Sequence, residues 1–228
     1  MLLAFIIGKM EDVRIQNTKI LEMLNNGKIE ELKTLIREEI FKDELKRKPG
    51  ARQRYAAMKK YFSYIKSVNP ACTMPCIIDL KREKYTSFIN GYSIALTKES
   101  SGEMKLFENP DKYLNVEKMV MFEGEEKEID FNAIIADAKS KGYKLKKSEV
   151  EQGEDFKYAF HYDDAYFKIG LLDSTYSIIN DGEKAIVWHP ENNKRVSPIT
   201  IKNSFGICVV LPFNYDKEKH NVTVIEVE

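Results

Sequence analysis

The stretch Ala165-Tyr-Phe-Lys-Ile-Gly-Leu-Leu-Asp-Ser-Thr-Tyr-Ser-Ile-Ile179 changes its apolar period partway along. Residues 166–169 read as a strand and residues 171–179 as a small helix, which Asn180-Asp181-Gly182 closes. Three alternating segments follow at 184–189, 196–202 and 206–213, with Asn203-Ser204-Phe205 turning between the last two. Upstream, residues 156–162 meet the first strand around Asp163-Asp164, and downstream residues 221–227 add a final strand. Short strands joined by tight turns around one helix predict an antiparallel sheet.

Working towards the N-terminus, residues 13–48 read as helix. Val13, Ile20, Leu21 and Leu24 recur at helical spacing until Asn25-Asn26-Gly27 interrupts them. The next helix places Ile29, Leu32, Leu35, Ile36 and Ile40 on one face and ends at Pro49-Gly50. A third, over residues 51–66, spaces Tyr55, Met58, Phe62 and Ile65 on its apolar side. Strands then follow at 76–80, 85–88 and 92–97, the last two flanking the Asn90-Gly91 hairpin signal. Residues 98–128 are irregular and Glu-rich and read as an insertion or a long connection, with the acidic residues of 103–128 in a solvated loop. A helix at 130–141 takes Asp130 as N-cap and Gly142 as its stop, burying Phe131, Ile134, Ile135 and Ala138. The expectation is an α+β chain: a helical segment over 1–48, then an α+β domain over 49–228 with a mainly antiparallel sheet.

Composition fits that reading and excludes others. The 228 residues are 43% hydrophobic and 32% charged, with zero formal net charge. That is too apolar for a disordered chain and too polar for a membrane protein. Cys72, Cys76 and Cys208 do not make a disulfide framework, which points to a reducing, cytoplasmic setting. The apolar residues 2–7 have no basic residue before them and no small-residue cleavage site after, so they read as a buried strand or as an extension upstream of Met10.

The zero balance is a sum of unlike parts. From Lys42 to Lys66 nine basic residues face only Asp43 and Glu44, a local charge of +7, whereas residues 103–128 carry −4. Lys46, Arg47, Lys48, Arg52, Arg54, Lys59, Lys60 and Lys66 are therefore candidate phosphate contacts. Arg52, Lys59 and Lys66 repeat every seven residues as a stripe beside the apolar face. The competing reading is an ordinary solvated helix face.

Two stretches resemble the DNA sliding-clamp family, the ring-forming processivity factors of replicative polymerases, and its divergent phage and mobile-element members in particular. Ala165-Tyr-Phe-Lys-Ile-Gly-Leu-Leu-Asp173, with Cys208-Val-Val-Leu-Pro-Phe213 as its last strand, is similar to the closing β-α-β-β-β unit of bacterial clamps. Ser87-Phe-Ile-Asn-Gly-Tyr-Ser-Ile-Ala95 is similar to the clamp hairpin, with a basic helix ahead of it. The resemblance implies two β-α-β-β-β halves, no catalysis, no cofactor, and sequence-independent contact with duplex DNA. It also implies a partner-peptide groove, for a replication protein, formed by Asn90, Gly91, Tyr92 and Ile94 with Val209, Leu211, Pro212 and Phe213. Asn90 stands where the family has Asp, and Tyr92-Ser93 where it has His-Arg. Family rings use six such domains, so a single domain implies a homo-oligomer if a ring closes. A protein-interaction module without nucleic acid is the alternative.

Other constellations are weaker. Cys72 and Cys76 lack zinc spacing and a second pair, so no metal is expected. His161 with Asp163 and Asp164, and His189 with Glu191, each lie at a strand end, where such residues serve turns. Trp188 is expected in the core.

Overall fold

The computed structural model describes residues 18, 20, 21, 23, 25–65, 75–99, 116–150, 156–216 and 221–227. Residues 2–7, Met10, Val13, Leu24, Lys66, Cys72 and the 100–115 part of the insertion, all singled out above, lie outside the described residues, as do the side chains of Leu35 and Ile65. The chain divides into two compact units, Met1–Lys48 and Pro49–Glu228.

In the first unit, helix α1 (Ile29–Arg47) starts after Gly27, whose φ of +68° is costly for any residue with a Cβ. Leu32 and Phe41 are buried, but Ile29, Ile36 and Ile40 are exposed. The apolar face expected from spacing is thus mostly uncovered. Periodicity groups side chains onto a face, but whether anything packs there is a tertiary matter.

In the second unit the order is α2 (Ala51–Ile65), β1 (Cys76–Leu80), β2 (Glu83–Ile89), β3 (Ser93–Thr97), α3 (Val116–Met119), β4 (Lys127–Ile129), α4 (Phe131–Ser140) and α5 (Lys147–Val150). Then come β5 (Tyr158–Tyr162), β6 (Ala165–Lys168), α6 (Ile169–Ile179), β7 (Ala185–Trp188), β8 (Ile199–Lys202), β9 (Gly206–Val210) and β10 (Thr223–Glu226). Seven strands form one antiparallel sheet in the order β1-β2-β3-β9-β8-β7-β4. A small sheet, β10-β5-β6, contains the one parallel pairing among the described strands, β10 on β5.

The connectivity repeats. Helix α2 precedes β1-β2-β3, helix α6 precedes β7-β8-β9, and the two sets meet at β3·β9, where Ile94 opposes Val209 and Ala95 opposes Cys208. The expected β-α-β-β-β halves are therefore seen as two α-β-β-β units. Among the described residues only the second has a leading strand, β6, and that strand pairs into the small sheet rather than the large one.

Both faces of the large sheet are covered, which is why β3 and β9 are buried at every position instead of alternating. One face packs Phe88, Ala95, Cys208 and Val210 against Met58 and Tyr61 of α2 and against α6. The other packs Ile94, Leu96, Ile207 and Val209 under Val116 and Val120. Part of the expected solvated insertion is thus a cover for the second face, held also by the Met121 N–H donating to Thr200 Oγ1 at 3.2 Å. Trp188 is only half-buried, edge-on to Phe122 on this side.

Helix α4 starts as its sequence predicts: the Asp130 carboxylate accepts from the Ala133 N–H at 3.0 Å, and Phe131, Ile134, Ile135 and Ala138 are buried. The β1–β2 and β5–β6 hairpins turn on Lys81-Arg82 and Asp163-Asp164, with all four residues at positive φ. Type I′ turns need this geometry, here without glycine.

Candidate functional site

Helix α2 carries no acidic residue. At 100° per residue Arg54, Met58 and Tyr61 point into the unit, and all three are buried. Arg52, Lys59 and Lys60 fall within an arc of about 100° on the opposite side and are exposed. None of the three has a carboxylate partner among the described residues. The Lys59 ammonium sits 4.7 Å over the Tyr55 ring, which leaves its charge available.

The remaining expected phosphate contacts fare differently. Arg54 is 2% exposed. Its Nε and Nη2 donate to Glu99 at 2.8 Å each, Nη1 donates to the Asn180 carbonyl at 3.0 Å, and Nη2 also donates to the Pro49 carbonyl at 2.9 Å. The guanidinium stacks on Phe205 at 3.6 Å. Arg54 is therefore removed from the candidate interface: a buried guanidinium needs acceptors, and four of its five N–H groups have them. In the first unit Lys46 is exposed, while Arg47 pairs with Asp43 at 2.9 Å and Lys48 with Glu44 at 3.5 Å. The two acids counted against the basic run thus neutralise two of its members locally.

Beside α2 lies a cleft of about 500 Å³ whose walls are α2, α6 and the connection after α4. Lys60, Lys139 and Lys144 line it, with Asp173 and Ser177 of α6. Asp173 is 4% exposed, accepts from the Ser177 hydroxyl at 3.2 Å, and lies 3.8 Å from Lys139. Tyr143, 2% exposed, also lines the cleft, and its hydroxyl has no hydrogen-bond partner among the described residues. Burial, then the charges of Asp173 and Glu149 and the approach of the Asp173 carboxylate to the hydroxyl, push that hydroxyl well above the ordinary tyrosine range, so it stays protonated. Lys139, Tyr143 and Lys144 were not singled out from sequence. The signal was present in Lys139-Ser-Lys-Gly-Tyr-Lys-Leu-Lys-Lys147, a basic run with an embedded tyrosine.

The expected groove divides in two. Ile94 and Val209 are buried and oppose each other in the sheet, so neither can touch a partner. Asn90 is buried too: its Oδ1 accepts from the Tyr92 and Ser93 N–H groups at 2.9 and 2.8 Å, and its Nδ2 donates to the Val150 carbonyl at 3.1 Å. Gly91, at φ +88°, completes the turn, and Tyr92 is 39% exposed. The Leu211 N–H donates to the Tyr92 carbonyl, which sets Leu211, half-buried, beside the hairpin. Pro212 and Phe213 face elsewhere, into an open groove of about 860 Å³ shared with Tyr166, Arg195, Val196 and Tyr215. Tyr166 stacks 4.5 Å from His161 and lies tilted against Tyr215, also at 4.5 Å.

The two histidines do not converge in one pocket. His161 lines that groove and meets Glu226 at 2.7 Å. His189 is buried, with Nδ1 at 3.2 Å from Asp163 and Nε2 at 3.0 Å from the Lys194 carbonyl. Burial raises the Asp163 carboxyl, but Lys194 at 2.7 Å and His189 more than offset it and hold the pKa below the ordinary value. This trio locks the 189–197 loop onto the β5–β6 turn. Among the described residues no group of three or more His, Cys, Asp or Glu is placed to hold a metal ion, and no helix is long and apolar enough to cross a membrane. No family model, curated protein or solved structure matches this chain.

Proposed function

We propose that this protein is a non-enzymatic, clamp-like DNA-associated protein that holds duplex DNA through its helical layer, independently of sequence. One observation carries the reading: α2, the helix leading one of the two α-β-β-β units, presents Arg52, Lys59 and Lys60 on one exposed arc without an acidic residue. Phosphate contact of this kind needs charge on a rigid surface and no reading of base edges. Helix α6 contributes no base and is almost wholly buried, so the contact is one-sided. Self-association of several copies would be needed to surround a duplex.

Fluorescence anisotropy with a labelled duplex tests this. Three phosphate contacts predict a slope of log K against log salt of about −2.7. Arg52→Glu with Lys59→Glu should abolish binding at low salt, while unrelated duplex sequences bind alike. Absence of binding at low salt, or binding untouched by the double reversal, refutes the proposal.

The aromatic groove favours a second reading, an interaction module that docks a peptide along Pro212, Phe213 and Tyr166 without nucleic acid. It predicts partner capture lost on Phe213→Ala and unaffected by the charge reversals.

A further inference from the structure

The cleft beside α2 has features that duplex contact does not use. Phosphate backbone binding needs exposed charge, yet here a carboxylate and a tyrosine hydroxyl sit on a floor that water barely reaches. Tyr143 is 2% exposed and its hydroxyl makes no well-formed hydrogen bond among the described residues, although Asp173 lies close enough to act on it; Asp173, 4% exposed, keeps lone pairs beyond those used by Ser177 and Lys139. An orphaned buried donor is costly in a folded protein and marks a place where a partner group fits. The rim is the reverse: Lys60 and Lys144 are exposed and free of carboxylate partners among the described residues, and Lys139 is 54% exposed. Three lysines against one aspartate leave the cleft at +2. Its volume, about 500 Å³, suits a small ligand. Its remaining walls include Ala57, Leu145 and the half-buried ring of Tyr64, an apolar surface that suits a planar group.

We propose that this cleft binds one nucleotide unit, with its phosphate at Lys60, Lys139 and Lys144 and its base against Tyr64 and Leu145, donating amino N–H groups to Asp173. Each part of the ligand matches one part of the site. A dianionic phosphate balances the rim, a flat heterocycle covers the apolar wall at Tyr64, and an exocyclic amino group meets the carboxylate, as when flipped bases are read along their hydrogen-bonding edge. The Tyr143 hydroxyl then has an acceptor on the base or sugar. The nucleotide can be free or an unpaired unit at the end of a DNA strand, since both offer the same groups.

Isothermal titration of the full chain with dGMP, dTMP, ribose 5-phosphate and inorganic phosphate, and with a short single-stranded oligonucleotide, tests this. The expected result is binding of dGMP at least tenfold tighter than dTMP, which lacks the amino group, and tighter than phosphate or ribose 5-phosphate. Lys144→Ala, on the exposed rim, and Tyr143→Phe, which removes only the hydroxyl, should each weaken dGMP several-fold. Tighter binding of the oligonucleotide than of dGMP, with the same sensitivity to both variants, assigns the site to a strand end, and the reverse order assigns it to a free nucleotide. The proposal is overturned if no nucleotide binds at millimolar concentration, if phosphate or ribose 5-phosphate binds as well as dGMP, or if both variants bind as the parent does. Its failure is separable from that of duplex binding, because Arg52→Glu with Lys59→Glu leaves this cleft intact.

Discussion

Replacing Arg54 by Met keeps the stem of the side chain in the core and removes only the guanidinium. That group joins four parts of the unit: the Pro49 carbonyl before α2, Glu99 after β3, the Asn180 carbonyl after α6, and Phe205 between β8 and β9. It therefore spans both α-β-β-β units. Four hydrogen bonds at about 1.5–3 kcal/mol each overstate the loss, because they are not additive. Removing one member of a buried ion pair costs about 3–5 kcal/mol, chiefly by leaving the other without a partner, here Glu99 with its side chain 10% exposed. With a urea slope of about 2 kcal/mol/M, the midpoint should fall by on the order of 2 M at unchanged slope. Arg54→Met with Glu99→Met should cost less than the two single changes together, since no charge is then left unpaired. Urea unfolding followed by circular dichroism measures all three. A loss within about 1 kcal/mol for Arg54→Met, or strict additivity in the double variant, refutes the account of Arg54 as a buried pin.

Other outcomes follow from the same geometry. Burial raises the Glu149 pKa above its ordinary 4.5, and its Oε2 lacks a partner among the described residues, so its contribution to stability is full below pH 4.5 and lost as pH rises through the folded value. Glu149→Gln should thus gain stability relative to the parent on going from pH 4 to pH 8 in thermal melts, and a gap constant with pH would refute this. Asn90→Ala removes the acceptor for two N–H groups and the tie to Val150, and should cost about 2–3 kcal/mol by urea unfolding. Gly206→Ala would drive a Cβ into the Leu96 carbonyl oxygen and to 2.6 Å from Ile179, prising β9 from β3, and should cost about 1–3 kcal/mol by urea unfolding. Cys208, buried at the centre of the sheet with its thiol pKa raised by burial, should resist alkylation until the protein is unfolded.

Local signals were legible wherever one residue type meets one backbone need. Asp130 capping α4, the four apolar residues of that helix and the Asn90-Gly91 turn all follow from rules acting within a few residues. The strands other than β4 were also found, though several ends were read too long: the segment ending at Phe213 leaves the large sheet after Val210, and Phe213 bridges to Tyr166 instead. What escaped were the short elements α3, β4 and α5, which have no period of their own and exist because a neighbour holds them.

The candidate site was legible only in part, for the same reason. An arginine in a basic run reads like its neighbours, yet Arg54 is turned inward while Arg52, two residues away, is exposed, because successive residues differ by 100° around a helix. Likewise Ile94, Val209 and Phe213 are alike in sequence, but the pairing of β3 with β9 buries the first two and leaves the third in a groove. The basic, acid-free character of α2 and the α+β order of elements belong to the chain itself, since they depend on composition and local periodicity. Which bases meet solvent, that residues 116–122 cover the second sheet face, and that Lys60, Tyr143 and Asp173 line one cleft were decided by tertiary structure alone. These features depend on segments far apart in sequence being brought together, and no short-range rule encodes that.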